Sequence, residues 1–316
     1  MSNNFFLLQS VVDQAFIGTR SVNTDAVSEA FQRQTLRNMD DSAITDLLIY
    51  SGFIPDLYGN DSCEETLYSK LVEVLVCEWA KRMGFTSHFI KQKASYEDVN
   101  IAINGKTVVC DTKSFRLGRS QAAPNVKDFL KLEDIRKWLS RYPAKLGGLI
   151  TYPNTHEWSR GSDVYQYCST KNAPTIMLPY KYLSVLLFSK NRYNTNDLQN
   201  LWDYERLFPS PLVKTMAGGN KDAYWRVINQ EILRITGVSP DEFKRYLQLC
   251  DQIINACVSA NLANMVHLRQ SIIDRIKAEV ESEDIETLRE HLVLYMTDAE
   301  TALINDLIMR IKSFRQ

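Results

Sequence analysis

The chain has little that would mark it as a metal-finger, secreted or membrane protein. Its six cysteines include no Cys-x-x-Cys pair and none at a metal-ligand spacing from histidine, so they read as reduced core thiols. Four scattered histidines add no zinc pattern. No run of eighteen apolar residues occurs, which excludes a membrane-spanning helix. The opening residues, MSNNFFLLQSVVDQ, lack a charged leader and a cleavage site, so no signal peptide is expected and the expected compartment is the cytoplasm. There is no glycine-rich phosphate loop, no internal repeat and no low-complexity tract. The formal net charge of -1 does not by itself suggest a polyanionic partner.

What is present reads as an α/β protein. With 45% hydrophobic residues, 316 residues can bury a substantial core in one large domain or two intimate ones. Residues 1–60 read as helical, with Asp41 or Ser42 expected to cap the helix carrying Ile44, Leu47 and Leu48, and with Gly52 and Pro55 closing it. The spacing of Leu67, Leu71, Val74, Leu75, Glu78 and Trp79 predicts a helix from about Glu64 to Met83 that stops at Gly84. Leu146 to Tyr152 and Thr175 to Leu178 read as strands, and Tyr180 to Ser189 as a helix covering them. Pro209-Ser-Pro211 and Gly218-Gly219 mark a loop region. Ser239-Pro240-Asp241-Glu242 is a helix start with cap, first-turn proline and capping-box glutamate, and the pattern stays helical to Phe314. The expected boundaries are 1–60, 61–210 and 211–316, the last packed on the core. It could clamp a ligand, form a dimer surface or cover the sheet. From Ser271 onward it carries six basic against ten acidic residues, which argues against a main role in phosphate contact.

The chemistry concentrates between Ser95 and Phe115. Asn104-Gly105, flanked by β-branched and apolar runs, predicts a two-residue hairpin turn. Ile103 then faces Lys106, and the same register places Asp98 opposite Asp111, with Lys113 on the same face two residues along. Opposed carboxylates repel, so a cation is expected between them. A solvent-facing edge strand would also carry such residues, and a bulge would break the register. The run Val108, Val109, Cys110 favours a strand covered on both faces, where idle charges are costly.

Asp98, twelve intervening residues and then Asp111-Thr112-Lys113 resembles the PD-(D/E)XK motif of metal-dependent nucleases. The continuation Asp111-Thr112-Lys113-Ser114-Phe115-Arg116-Leu117-Gly118-Arg119 is similar to the HindIII-like type II restriction endonucleases. So are Lys127-Asp128-Phe129 and the upstream run Glu65-Thr66-Leu67-Tyr68-Ser69-Lys70, and the resemblance covers roughly residues 44–140. Glu97 stands where the motif's name has proline, a position that shapes the backbone more than the chemistry. The resemblance implies a restriction-endonuclease-like central mixed sheet flanked by helices. It also implies a magnesium site, with manganese able to substitute, held by Asp98, Asp111 and the main-chain carbonyl of Thr112. Lys113 would orient the attacking water, hold it as hydroxide or stabilise the transition state. Of the acids on the preceding helix, Glu65 is the candidate for a site contact, a helix cap being its alternative role, and Glu73 is left out.

Twelve basic against six acidic residues between Lys91 and Lys145 place a local positive charge around the motif. A loop from Ser114 to Pro124 and a helix from about Val126 to Arg141 would bring Ser114, Arg116, Arg119, Asn125, Lys127 and Asp128 to the DNA as contact residues. Alternatively, Asn125 caps that helix and Lys127 touches phosphate. The implied activity is cleavage of both strands of a short palindrome, possible sites starting with AAGCTT, by a homodimer whose cell carries a companion DNA methyltransferase. The same core also serves structure-specific repair or recombination nucleases, and an inactive DNA-binding protein is a third reading.

Overall fold

The computed structural model describes residues 4–91, 95–116, 130–153, 168, 170–218 and 223–313. It divides into two compact units, Met1–Cys257 and Val258–Gln316. Met216, Tyr224, Ile228 and Ile232, which lie within the carboxy-terminal region 211–316 expected to pack on the core, are buried in the core of the first unit.

The first unit opens with α1 (Leu7–Ala15), α2 (Thr24–Ala30), a short irregular helical stretch over residues 31–38, and α3 (Asp41–Tyr50). Asp40, rather than Asp41 or Ser42, caps α3, its carboxylate accepting from the Ala43 N–H at 2.7 Å. Strand β1 (Phe53–Ile54) follows, then α4 (Cys63–Arg82). Ser62 caps α4 by accepting from the Glu65 N–H at 3.1 Å, and Gly84, at φ 87°, ends it as expected. Helix α4 is buried along most of its length, and the Trp79 indole anchors it by donating to the Leu183 carbonyl at 2.9 Å.

The central sheet has five strands in the order β2 (Thr86–Phe89), β3 (Val99–Ile103), β4 (Lys106–Thr112), β6 (Lys145–Tyr152) and β7 (Thr175–Pro179). Strand β3 runs antiparallel to its neighbours β2 and β4, and β4, β6 and β7 run parallel, so the sheet is mixed. A short strand, β5 (Phe115–Arg116), leaves the end of β4 and pairs in parallel with β1. Helix α5 (Leu132–Leu139) packs on β4 and β6, while α4 and α6 (Tyr180–Phe188) belong to the opposite layer. Neighbouring glycines in β6 admit both layers. A Cβ on Gly147 would lie 2.1 Å from Trp202 and one on Gly148 2.7 Å from Ile135. Helices α7 (Tyr204–Leu207), α8 (Ser210–Ala217) and α9 (Ala223–Thr236) complete the layer, with Tyr224 fully buried. Helix α10 (Pro240–Ser282) begins in the first unit, capped by Ser239 as expected, and its early turns bury Cys250 and Ile254 against Ile49 and Phe53. The rest of α10 and α11 (Ile285–Ser313) make up the second unit.

Candidate active site

The expected turn forms at Asn104-Gly105, both at positive φ, and the predicted register holds for five pairs from Ile103 with Lys106 to Val99 with Cys110. It then slips. The Asp98 N–H donates to the carbonyl of Cys110, the residue that already faces Val99, so Asp98 does not stand opposite Asp111 as the register predicts. The extra residue turns the Asp98 carboxylate onto the next strand, where it accepts from the Thr112 N–H at 2.8 Å and the Thr112 hydroxyl at 3.1 Å. The two aspartates still feel each other, because the charge of Asp98 raises the pKa of Asp111.

Asp111 is buried near the end of β4 and makes a 2.7 Å ion pair with the Lys113 ammonium. Burial pushes its carboxyl up to about 6; Lys113 works against that rise and Asp98 adds to it, while Lys131, just before α5, also lowers it. Lys113 is held through its backbone on two sides. Its N–H donates to the Thr151 carbonyl at 2.8 Å, and its carbonyl accepts from the buried Tyr180 hydroxyl at 2.9 Å. Gly52, at φ 88°, passes close by, and a Cβ there would come within 2.7 Å of the Tyr180 ring. The neighbouring Phe115 N–H donates to the Gly52 carbonyl at 2.7 Å.

Glu97, in the position before Asp98, is fully buried. It accepts from the Tyr142 hydroxyl, while the Ser95 carbonyl accepts from the Trp138 indole and from Arg141, which also stacks over Tyr96. The approach to Asp98 is thereby fastened to the end of α5.

Glu65 and Arg116 are turned into the protein. Glu65 accepts from the Asp61 N–H at 2.7 Å in a capping arrangement, and its carboxylate also receives Arg116 at 2.8 Å. The buried Arg116 guanidinium donates further to the carbonyls of Tyr58 at 2.7 Å and Gly59 at 2.9 Å. Together they hold the 55–59 loop against β5. Ser114 is half-buried between Lys113 and β5, whereas Arg119, Asn125, Lys127 and Asp128 lie outside the described residues.

Sequence reasoning passed over Glu73. It is buried on α4 and paired with Lys70 at 3.1 Å; burial above all raises the pKa values of Cys110 and Tyr180, and the charge of Glu73 adds a smaller push together with those of Asp98 and Asp111. No group of three or more His, Cys, Asp or Glu that could hold a metal ion occurs among the described residues. The available donors are hard carboxylate oxygens, two of them mutually repelling, which suits a divalent cation that keeps several of its waters.

A mixed α/β sheet with these residues at adjoining strand ends has the architecture of the PD-(D/E)XK nucleases that the sequence resembles. The chain belongs to the HindIII restriction endonuclease family, whose model matches residues 15–306. It is similar to the type II restriction enzyme HindIII of Haemophilus influenzae, with 23% identity over 211 residues. That similarity covers 65% of this chain and 66% of the relative.

Proposed function

We propose that the protein is a divalent-metal-dependent deoxyribonuclease that hydrolyses both strands of a short palindromic duplex, as a type II restriction endonuclease. The carrying observation is the Asp111–Lys113 pair at 2.7 Å beside the Asp98 carboxylate, in a chain of the HindIII family. Asp98, Asp111 and the Thr112 carbonyl would hold magnesium, or manganese in its place, and the bound ion supplies charge neutralisation and an acidified water. Lys113 places a fixed positive charge beside Asp111, where it can orient a nucleophile or meet charge that develops on the phosphate. Tyr180 and Gly52 are positioning residues, since they fix the backbone that carries Lys113. Glu73 is a further candidate for the site.

Ser114, Arg119, Asn125, Lys127 and Asp128 remain candidates for contacts to DNA, and AAGCTT is the first sequence to try. Arg116 is better read as a brace for the 55–59 loop, since both terminal nitrogens of its buried guanidinium donate to protein carbonyls and Glu65. A palindrome is read most simply by a two-fold homodimer, and a cell holding such an activity protects its own DNA with a methyltransferase of the same specificity. The expected site of action is the cytoplasm.

Digestion of a sequenced plasmid with and without magnesium, wild type beside Asp111→Ala, tests this reading. Discrete metal-dependent fragments that the variant fails to give are expected, and their ends map the site. Cleavage by the variant equal to wild type, or no cleavage of any of several plasmids, would overturn it.

A further inference from the structure

A cavity of about 200 Å³ lies beside β2, the edge strand of the central sheet, and none of the described residues lining it belongs to the catalytic group. Its walls carry Arg33 and Arg37 from the irregular stretch after α2, Lys81 near the end of α4, His88 in β2 and Lys91 just beyond that strand. Glu29 is the one acid among them. Lys91 pairs with that carboxylate, Arg33 shares it at 3.3 Å, and Lys91 above all holds its pKa below the ordinary 4.5. The side chains of Arg37, Lys81 and His88 have no hydrogen-bond or ion-pair partner among the described residues. One carboxylate therefore faces four Lys and Arg charges.

The chain leaves regular geometry to make this arrangement. Helix α2 runs into a π-helical turn, Phe31–Thr35, a rare winding that recurs at functional sites. The turn buries Phe31 and Gln32 and leaves Arg33 exposed, with Glu29 and Arg37 four residues to either side of it on the same face. Charges around a cavity of this size lie within about a Debye length of one another, ~8 Å in physiological salt, so their repulsion is only partly screened. An anion inside the cavity relieves it. Arginine offers a planar fork and lysine a point charge, and both bind phosphate. The cavity also reaches the catalytic end of the sheet through the backbone. Ile90 sits between the lining residues Phe89 and Lys91; its N–H donates to the Asp98 carbonyl at 3.0 Å, and its carbonyl accepts from Lys70, the partner of Glu73.

We propose that Arg33, Arg37, Lys81 and Lys91 form a second anion site, which binds a phosphate group away from the catalytic centre. The group belongs to the backbone of duplex DNA or to a free phosphate ester; the first source rests on the nuclease reading, and the site itself does not. The test is isothermal titration calorimetry of the full chain in a chelating buffer, which keeps metal-bound phosphate away from Asp98 and Asp111. The probes are inorganic pyrophosphate and a short duplex lacking AAGCTT. Wild type is compared with two pocket variants, Arg37→Gln with Lys81→Gln and Arg33→Gln with Lys91→Gln. A control, Lys214→Gln with Lys244→Gln, removes the same charge at exposed positions elsewhere. Thermal unfolding checks that each variant is folded.

Wild type and the control are expected to bind pyrophosphate, and the pocket variants to bind it roughly ten-fold or more weakly, the cost of one lost charged hydrogen bond. Where the duplex is the natural source, both pocket variants also lose duplex affinity, and the dependence of log affinity on log salt becomes shallower by about 1. Unchanged duplex binding beside lost pyrophosphate binding assigns the site to a free phosphate ester. Pyrophosphate that fails to bind wild type, or that binds the pocket variants as tightly as the control, would overturn the proposal. Cleavage is scored separately. A protein that binds pyrophosphate here and cuts no DNA keeps the site and sinks the nuclease reading, whereas one that cuts DNA with unchanged binding in the pocket variants does the reverse.

Discussion

At the scale of single residues, the site is held at some cost in stability. The ordinary aspartate value is 3.8, and burial pushes Asp111 to about 6 despite its pairing with Lys113. The folded chain without metal therefore binds a proton more tightly than the unfolded chain, and stability present below about pH 4 is lost as the pH rises to about 6, then levels off. Asp111→Asn removes the buried charge. In a chelating buffer it is expected to match wild type near pH 4 and to exceed it at pH 8 by about 3 kcal/mol at most, as measured by urea denaturation. Magnesium should raise the melting temperature of wild type and leave that of the variant unmoved. Equal stability at both pH values would show that Asp111 carries no such penalty. The acids and the lysine were legible in the sequence because one turn places them. The slip at Asp98 was not, because it is decided by which strand's N–H the carboxylate meets. Nor was the inward turn of Arg116, whose partners are backbone carbonyls of a loop distant in sequence.

Elements show where periodicity suffices and where it fails. Helix α4 and strands β6 and β7 fall close to where spacing alone places them, since their apolar faces are long and their ends carry turn residues. Spacing could not say how the acids of α4 are placed, because only the packed fold fixes the helix rotation: Glu65 turns to the Asp61 N–H and Arg116, while Glu73 is buried beside Lys70. Nor does a strand pattern explain two adjacent glycines inside β6. In the fold, Gly147 leaves room for Trp202, whose indole donates to the Gly148 carbonyl at 2.8 Å. Gly147→Ala is expected to destabilise the protein by about 1–3 kcal/mol through overpacking, again read by urea denaturation. Paired with Trp202→Phe, the loss should shrink; additive losses would place the strain elsewhere.

For the whole molecule, two units of different character follow from the distribution of burial. The first unit has an extensive apolar core, while in the second the described side chains are exposed or half-buried. Amide hydrogen exchange should therefore be slowest in β3, β4 and α4 and fastest across residues 258–313. Protection in the second unit equal to that of the central sheet would contradict this contrast.

The hairpin from Asp98 to Lys113 joins its two aspartates and its lysine across a single tight turn, and so it is finished early during synthesis. Thr151 and Tyr180, which hold the backbone of Lys113 from either side, come off the ribosome only later. A growing chain thus carries both aspartates and the lysine before it carries the partners that fix the lysine in place, and the arrangement is completed only when the sheet and its covering helix close around it.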